Sequence, residues 1–447
     1  MIRKVLLVNP PVYDFAAYDL WMKPWGLLKI SAVLKKMGYE VFLADAMDRH
    51  HRLFLGRGII DKPDGTGKFF SMEVEKPPAL KGVPRRYRRY GLPSELFDKA
   101  LPSGKVDIIL VSSGMTYWYP GVFDAIRALK KRYSCPVVLG GVYATLCHEH
   151  AVRESGADHV VKNGDFARLS GILGARSDIS FCDILGETID LSGYIYSPYA
   201  VLRVSLGCPF DCAYCAQKIL SPPFSLKSMD GALREVQALY EAGIRNFAFY
   251  DDALLYHGEY AKKYFSALID SGIKACFYSP NGLHARFLDE HTARLMKGMN
   301  FVNPILSLEV SNDKKAGSFH DKVTRKELIR AVENLKKAGY LAGEYSVYLI
   351  LGLPGTGYRD VEESMEFAYS LGARISLSEF SPVPGTSAAR EIRIESLDPL
   401  LQNNSVLLCQ EPSSRDKIRQ LKDMANKLNY LIKEKTPPQS LFPSVYR

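Results

Sequence analysis

The 447-residue sequence has no run of roughly 18 apolar residues, so no membrane-spanning helix is expected. Its N-terminus has only a short apolar stretch, residues 5–8, which Asn9 and two prolines end. That stretch is too short for the core of a signal peptide, so a cytoplasmic location is the expectation. The net charge of +9 is modest for this length and by itself identifies no partner.

A disulfide framework is also absent. The chain has 8 cysteines, and those that stand singly are Cys135, Cys147, Cys182, Cys276 and Cys409. Scattered cysteines of this kind are not the pattern of a small secreted domain held by disulfides. The other three, Cys208, Cys212 and Cys215, lie within one short stretch, which is typical of a metal site in a reduced compartment.

The first third of the chain alternates between short apolar runs and helical periodicity. Strands are predicted at residues 5–8, 41–44, 107–112, 136–139 and 159–161, and helices at 25–37, 121–132 and 148–155. This alternation predicts an α/β domain over residues 1–165, with a doubly wound parallel sheet of the flavodoxin or Rossmann type. Residues 57–91, rich in glycine, proline and charge, are predicted to be an insertion, and residues 166–199 a linker.

The alternation resumes in the second half. Strands are predicted at residues 201–205, 246–250, 275–279, 305–310, 345–351 and 375–380, with helices between them. Six βα units in series predict a partial (β/α)6 barrel over residues 200–390 rather than a closed barrel of eight strands. An amphipathic pattern at 415–435 predicts a C-terminal helical extension within residues 391–447.

The three clustered cysteines directly follow the first predicted barrel strand, in the order Cys208-Pro-Phe-Asp-Cys212-Ala-Tyr-Cys215. Gly207 and Pro209 keep the backbone out of a helix, so a loop can turn three sulfurs toward one point. Thiolates suit iron–sulfur clusters or zinc, but a structural zinc site needs four ligands, and no fourth cysteine or histidine is nearby. Three thiolates on a four-iron cluster would leave one iron open to substrate. A partial zinc site or a chance cluster is the alternative.

This Cys-x3-Cys-x-Tyr-Cys motif resembles the signature of the radical S-adenosylmethionine (radical SAM) superfamily. The resemblance implies a [4Fe-4S] cluster on the three cysteines, with S-adenosylmethionine chelated to the open iron. It also implies that one electron breaks a carbon–sulfur bond to give a 5′-deoxyadenosyl radical, and that Tyr214 packs near the adenine. Such enzymes take their electron from an external donor of the flavodoxin or ferredoxin type.

Four later positions extend the resemblance, in the order in which the family has them. Asp251 ends the second predicted barrel strand, and Glu309 stands on the fourth, where the family has a polar residue that meets the ligand. Gly352 and Pro354 follow the fifth strand, where the family has a turn close to the adenine. The resemblance implies that these residues contribute to the cofactor site. The sequence has no second cysteine cluster, so an auxiliary iron–sulfur centre is not expected.

The N-terminal third resembles the cobalamin-binding-like domain that precedes many radical SAM methyltransferases. The motifs that carry this resemblance are Val8-Asn-Pro-Pro, Trp25-Gly-Leu-Leu, Gly38-Tyr-Glu-Val and Leu139-Gly-Gly-Val-Tyr-Ala-Thr. Gly140 and Gly141 would permit close approach of a large planar ligand, and Ser112 and Ser113 end a strand at the edge where such sheets bind ligands. His50 lacks the glycine that usually follows a cobalt-ligating histidine, so it is either a ligand or an ordinary loop histidine. A vestigial or substrate-binding module is the alternative for the domain.

Together these features predict a two-domain enzyme, with the N-terminal domain over the open mouth of the barrel. The leading hypothesis is cobalamin-dependent methylation of an unactivated carbon. One alternative is a radical rearrangement, cyclisation or sulfur insertion without cobalamin, and another is a non-catalytic iron–sulfur protein for electron transfer or sensing. The basic stretch at residues 81–89 favours a solvated loop face over a loop that binds RNA, phosphate or an anionic substrate.

Overall fold

A computed structural model describes residues 3–54, 59–175, 178–313, 323–392, 398–407 and 412–434 of the chain. The strands of its N-terminal part are β1 (Lys4–Asn9), β2 (Val12–Asp14), β3 (Tyr18–Asp19), β4 (Glu40–Asp45), β5 (Gly67–Lys68), β6 (Ser71–Glu73), β7 (Arg88–Tyr90), β8 (Ile108–Val111), β9 (Val137–Leu139) and β10 (His159–Val160). The helices there are α1 (Trp25–Lys36), α2 (Ser94–Ala100), α3 (Tyr119–Arg132), α4 (Val142–Leu146), α5 (His148–Glu154), α6 (Phe166–Leu173) and α7 (Phe181–Gly186).

The N-terminal domain is built on a parallel sheet of five strands in the order β10-β9-β8-β1-β4. Alternate residues of β1 enter opposite layers: Val5 and Leu7 pack in one apolar cluster, and Leu6 and Val8 in another. Since all four are fully buried, helices cover both faces, which is why the strand reads as a continuous apolar run. The strand order is that of flavodoxin-like folds, so the predicted doubly wound sheet is confirmed.

The predicted insertion lies outside this sheet. Its strands β6 and β7 form a small antiparallel sheet with β2, and β5 pairs with β3. Arginines of the basic stretch contact other parts of the chain: Arg85 lies 2.5 Å from the Ser405 hydroxyl, Arg86 lies 3.6 Å from Glu73, and Arg88 lies 3.2 Å from the Ser71 hydroxyl. The basic stretch therefore makes contacts within the insertion and with the C-terminal extension.

The structure differs from the expected linker at residues 166–199, because this segment contains α6 and α7. Leu169 and Leu173, one turn apart on α6, pack in the core of the sheet together with Ile184 of α7. A side-chain cap starts each helix: Asp165 accepts from the Arg168 amide, and Ser180 forms a capping box with Asp183. Helices of two turns are too short to show a clear apolar period in the sequence.

The second domain is a partial barrel, followed by helices. Its strands are β11 (Ala200–Leu202), β12 (Ser205–Leu206), β13 (Ser225–Leu226), β14 (Asn246–Phe249), β15 (Cys276–Tyr278), β16 (Leu283–His284), β17 (Ile305–Glu309), β18 (Ser346–Leu351) and β19 (Arg374–Glu379). Its helices are α8 (Gln217–Leu220), α9 (Met229–Glu241), α10 (Gly258–Asp270), α11 (Glu290–Gly298), α12 (Arg325–Lys337), α13 (Tyr358–Ser370), α14 (Ser387–Glu391), α15 (Asn404–Leu407) and α16 (Pro412–Glu434).

Parallel pairing runs through β11, β14 and β15 and through β16, β17, β18 and β19, and a bridge between Phe277 and Phe301 connects the two sets. The six predicted βα units and the partial barrel are therefore confirmed. The C-terminal helix α16 covers the last strand, where the Asn429 side chain bonds both the amide and the carbonyl of Ile375. Among the helices that the structure describes, none is both long and apolar enough to cross a bilayer.

Helix α1 joins the two domains, because Leu28 packs in the barrel core while its neighbour Leu27 packs in the sheet core. Next to them, Lys29 lies 2.6 Å from Glu235 of α9, whose other carboxylate oxygen lies 2.8 Å from Lys227. All three side chains are almost fully buried. Burial lowers the pKa of Lys29 to about 8, although Glu235 opposes the change. One carboxylate thus pairs with two buried ammonium groups at the domain interface.

Replacing Glu235 by alanine would leave both lysines buried without a counter-charge. We expect Glu235→Ala to lower the free energy of unfolding by about 3–5 kcal/mol, measured by denaturant titration. The matched control is Glu40→Ala, which removes the partner of Lys4 in an exposed pair and should cost at most about 1 kcal/mol. Equal, small losses for the two variants would show that the buried charges are not held by Glu235.

Candidate active site

The cysteine loop begins where β12 ends and is shaped by Gly207. This glycine has φ +77°, and a Cβ there would lie 2.3 Å from the Pro222 carbonyl oxygen. Desolvation raises the pKa of Cys215 to about 11, and the nearby thiols of Cys212 and Cys208 add to the rise. The three predicted ligands therefore face one region, where a cationic centre would favour their thiolate forms.

Gly207→Ala tests how far the cysteine loop depends on this turn. The new methyl group must displace the Pro222 carbonyl, so we expect reconstituted protein to hold less than about half of the wild-type iron while remaining folded. The control is Gly38→Ala: Gly38 has φ +89° but open space around its Cβ position, so it shares the backbone strain without the crowding. Iron content and circular dichroism measure the two effects, and equal iron in both variants would contradict this account.

The arrangement does not suit a single metal ion. Across the described residues, no three His, Cys, Asp or Glu side chains converge closely enough to hold one ion. A four-iron cluster needs wider spacing, because each thiolate binds a different iron. The donor set therefore fits a cluster better than the partial zinc site that the sequence left open.

Asp251 holds the backbone just before the cysteine loop. Its buried carboxylate accepts hydrogen bonds from the Val204 amide at 3.0 Å and from the Ser205 amide and hydroxyl, both at 2.6 Å. These bonds divide the strand predicted at 201–205 into β11 and β12, since the captured amides cannot continue the ladder. Burial raises the pKa of Asp251 to about 7, against the effect of the Ser205 bonds. Asp251, predicted to bind a cofactor, lies where it positions the loop.

Tyr214, Glu309 and the Gly352–Pro354 turn are brought together at the mouth of the barrel. Tyr214 packs with Leu353 of that turn in one apolar cluster. Burial raises the pKa of Tyr214 well above its usual value, and the neighbouring Glu309 carboxylate adds to the rise. Glu309 has φ +66°, a conformation that costs a non-glycine residue free energy and is concentrated at functional sites. The sequence placed these residues on separate strands, and the structure places them around one point.

Two features of this mouth were not found from the sequence. The Phe210 ring lies 4.7 Å from that of His284 and 5.8 Å from that of Phe287, which attaches the cysteine loop to the opposite rim. Arg203, between the two half-strands, pairs with Asp252 at 3.1 Å and lies over the Trp25 ring. Arg203 could have been found from the sequence, because it is a charged residue within an apolar strand pattern. No sequence pattern marks Phe210 as part of the barrel mouth.

The N-terminal sheet carries a cavity of about 110 Å³ at the carboxyl ends of its strands. Ser112, Gly140 and Gly141 line it, with apolar side chains of α1 and α6. Gly141 has φ +94°, and a Cβ there would lie 2.4 Å from the Ser113 carbonyl oxygen. The Ser113 hydroxyl donates to the Gly140 carbonyl at 2.6 Å, so Ser113 supports the edge while Ser112 faces the cavity. The largely apolar space fits an aromatic group.

His50 lies away from this cavity. Its Nε2 is 3.1 Å from the Asp61 carboxylate, and its ring meets the Tyr196 ring edge-on. Burial lowers its pKa, although Asp61 opposes the change. Since the cavity lining within the described residues contains no histidine, the geometry favours an ordinary loop histidine over a metal ligand.

The cavity of the N-terminal sheet is connected to the end of the cysteine loop by a hydrogen bond. Asn163, which lines the cavity, donates from its side chain to the Leu220 carbonyl at 2.7 Å, and Leu220 ends α8 just after the cysteine loop. On the other side, the Ala213 carbonyl accepts from the Ala388 amide at 2.9 Å and the Ser387 hydroxyl at 3.1 Å. The cysteine loop is thus held between the N-terminal domain and the segment that follows β19.

Relatives of known sequence fall into two groups. A tRNA-2-methylthio-N(6)-dimethylallyladenosine synthase of Anaplasma phagocytophilum is 27% identical over 203 residues, 42% of this chain and 45% of that protein. The alignment thus spans less than half of the relative's length. A hopanoid C-3 methylase of Methylococcus capsulatus is 19% identical over 418 residues, which cover 86% of this chain and 72% of that protein.

Solved structures resemble nearly the whole chain. The radical S-adenosylmethionine methyltransferase TsrM of Kitasatospora setae, with cobalamin and a [4Fe-4S] cluster bound, matches with a TM-score of 0.65 at 15% identity, over 88% of this chain and 78% of TsrM. The cobalamin-dependent radical enzyme OxsB with aqua-cobalamin matches with a TM-score of 0.62 at 11% identity, over 97% and 72%. These likenesses establish a common fold.

The model of the radical SAM superfamily matches residues 202–368, which include all three clustered cysteines. The function of that superfamily requires a [4Fe-4S] cluster and S-adenosylmethionine, and the cysteine loop offers three thiols that face one region. Residues 202–368 therefore form a radical SAM domain.

Proposed function

We propose that this enzyme transfers a methyl group to a carbon atom of its substrate and uses a bound cobalamin to do so. The observation that carries the proposal is the cavity at the carboxyl edge of the N-terminal sheet, connected by Asn163 to the end of the cysteine loop. In a flavodoxin-like sheet, ligands bind at this edge, next to the point where the strand order reverses. In this sheet that point lies between β1 and β8, and Ser112 directly follows β8.

Several residues of this chain would bind the cofactors or shape their sites. When bound, the cluster supplies an electron for cleavage of S-adenosylmethionine, and cobalamin supplies the methyl group. Cys208, Cys212 and Cys215 would hold the cluster, while Asp251 and Gly207 set the shape of their loop. Glu309 and Tyr214 would bind polar groups and the adenine of S-adenosylmethionine at the barrel mouth.

In the N-terminal domain, the groups around Gly140 and Gly141 would accept the flat nucleotide base of cobalamin. The missing side chains let the backbone approach the ligand, and the apolar side chains of Leu27, Val138 and Leu169 exclude water from the space. An external one-electron donor of the flavodoxin or ferredoxin type completes the reaction.

Two comparisons support methyl transfer over the other radical reactions. The alignment to the hopanoid methylase includes both domains, whereas the methylthio-type relatives align over 42–43% of this chain. The solved structure of the methyltransferase TsrM, like that of OxsB, contains bound cobalamin. A radical rearrangement, cyclisation or sulfur insertion would need the barrel but not the cavity at Gly141.

The test is anaerobic reconstitution with iron, sulfide and hydroxocobalamin, followed by gel filtration and a visible spectrum. We expect cobalamin to remain with the protein near one per chain, and reduction with dithionite in the presence of S-adenosylmethionine to yield 5′-deoxyadenosine. Formation of 5′-deoxyadenosine without retained cobalamin would favour a radical reaction of another type. Neither product nor cobalamin would contradict the proposal as a whole.

A further inference from the structure

A second, larger cavity of about 640 Å³ lies between the N-terminal domain and the C-terminal extension. One wall comes from α4 and α5, with Thr145 and His148, and from Lys162 after β10. The opposite wall comes from Pro384 and from Asp398 and its neighbours. A cavity of this size is typical of sites that hold one small molecule.

Both walls are attached to the cysteine loop. The Thr145 hydroxyl accepts from the Asn163 amide at 2.8 Å, and the Asn163 side chain donates to the Leu220 carbonyl. Across the cavity, Pro384 lies three residues before Ser387, whose hydroxyl donates to the Ala213 carbonyl. A molecule in this cavity would therefore lie beside the loop that carries the cluster ligands.

The lining carries charges of both signs. Arg153 and Lys162 are positive, and Glu149 and Asp398 are negative. Covering these groups with an apolar molecule would remove them from water without compensation, which is unfavourable for each charge. The lining therefore favours a polar ligand and disfavours a lipid.

His148 adds a hydrogen-bond acceptor of defined geometry. Its Nδ1 lies 3.0 Å from the Ala144 carbonyl oxygen, which can only accept, so Nδ1 must carry the proton. In the neutral imidazole the lone pair is then on Nε2, the other nitrogen of a ring that lines the cavity. Asp398 is fixed in a similar way by the Tyr119 hydroxyl at 3.0 Å and the Leu400 amide at 2.9 Å.

We propose that this cavity holds the methyl acceptor, and that the acceptor is a small polar molecule with an anionic group and a hydrogen-bond donor. The assignment as an acceptor site rests on the proposed methyl transfer. Arg153 and Lys162 bind the anionic group, a carboxylate or phosphate, and His148 Nε2 accepts from the donor. The size of the cavity and its charges set the substrate class.

The experiment follows alkylation of Cys147, because this residue lines the cavity. Burial raises the pKa of this thiol to about 11, so alkylation by iodoacetamide is slow enough to follow by peptide mass spectrometry. The exposed Cys182 on α7 is the internal control. With cluster-reconstituted enzyme, we expect inorganic phosphate to slow alkylation of Cys147 and not of Cys182. Sodium chloride at the same ionic strength should have no such effect.

In the Arg153→Ala/Lys162→Ala double variant, the half-protecting phosphate concentration should rise about tenfold or more, whereas Lys130→Ala, on the exposed face of α3, should leave it unchanged. Three results would overturn the assignment: no protection by phosphate, equal protection in the double variant, or protection by 1-octanol in place of phosphate. The cobalamin spectrum of the same sample keeps the two proposals separate. Protection without cobalamin would refute methyl transfer and leave the polar-ligand site standing.

Discussion

Cys212→Ala is expected to abolish the iron-dependent chemistry of this chain. Two thiolates cannot hold three corners of a four-iron cluster, so iron should fall from about four per chain to near zero. Reductive cleavage of S-adenosylmethionine should fall by at least about 10³-fold, because the electron for that step comes from the cluster. Iron content, the visible absorbance of the cluster and 5′-deoxyadenosine formation measure the effect.

The matched control is Cys182→Ala, which removes another free thiol from an exposed position in the N-terminal domain. This variant should keep its iron and its activity. Circular dichroism should be the same for both variants, because Cys212 lies in a loop and contributes to no helix or strand. If Cys212→Ala retained wild-type iron, these cysteines would not be the cluster ligands.

Gly141→Ala is expected to weaken the binding of cobalamin without impairing the chemistry of the iron–sulfur cluster. A methyl group at this position would lie 2.4 Å from the Ser113 carbonyl oxygen and 2.7 Å from its amide nitrogen, at a φ of +94°. The backbone strain alone is about 1–2 kcal/mol, and the crowding must move the strand end that lines the cavity. We expect retention of cobalamin to fall at least about tenfold, while 5′-deoxyadenosine formation stays within about twofold of wild type.

Gly156→Ala is the control for strain. Gly156 is in the same domain, has φ +70°, and has open space where a Cβ would lie. It should cost similar stability and leave cobalamin retention unchanged. Equal loss of cobalamin in the two variants would point to general destabilisation of the domain. If Gly141→Ala lost no cobalamin, the cavity would not be the cobalamin site.

The fold was largely predictable because its signals are local. Apolar runs such as residues 5–8 are buried on both faces of a parallel sheet, and the cysteine spacing stands next to a strand end. The helices α6 and α7 escaped prediction because each makes only about two turns, and their role in the sheet core depends on partners far along the chain. The order of the five sheet strands likewise depends on pairing that no single segment encodes.

The residues of the candidate site could be predicted from the sequence, but their arrangement in space could not. The sequence placed Tyr214, Glu309 and Gly352 on three different βα units. The left-handed backbone of Glu309 and its proximity to Tyr214 arise only when the barrel forms around the loop. Asp251 shows the opposite case. A polar residue at a strand end suggested a ligand contact, and its carboxylate is instead satisfied by the Val204 and Ser205 amides, which lie 46–47 residues away in sequence.

The buried charges at the domain interface had no sequence signal, because Lys29 lies 206 residues before Glu235 in the sequence. Each reads as an ordinary polar residue of its own segment. The packing of α1 against α9 brings Lys29 to 2.6 Å from Glu235, whose other carboxylate oxygen lies 2.8 Å from Lys227. The same applies to the 640 Å³ cavity, whose walls come from segments more than 200 residues apart.

The proposed methyl transfer depends on an iron that the three cysteines leave without a protein ligand. The most direct test is electron paramagnetic resonance of the dithionite-reduced, reconstituted protein before and after S-adenosylmethionine is added. We predict that the g-values of the cluster signal shift, because the added molecule binds the open iron. A cluster signal that S-adenosylmethionine leaves unchanged would mean that this iron is closed or inaccessible, and would contradict the account.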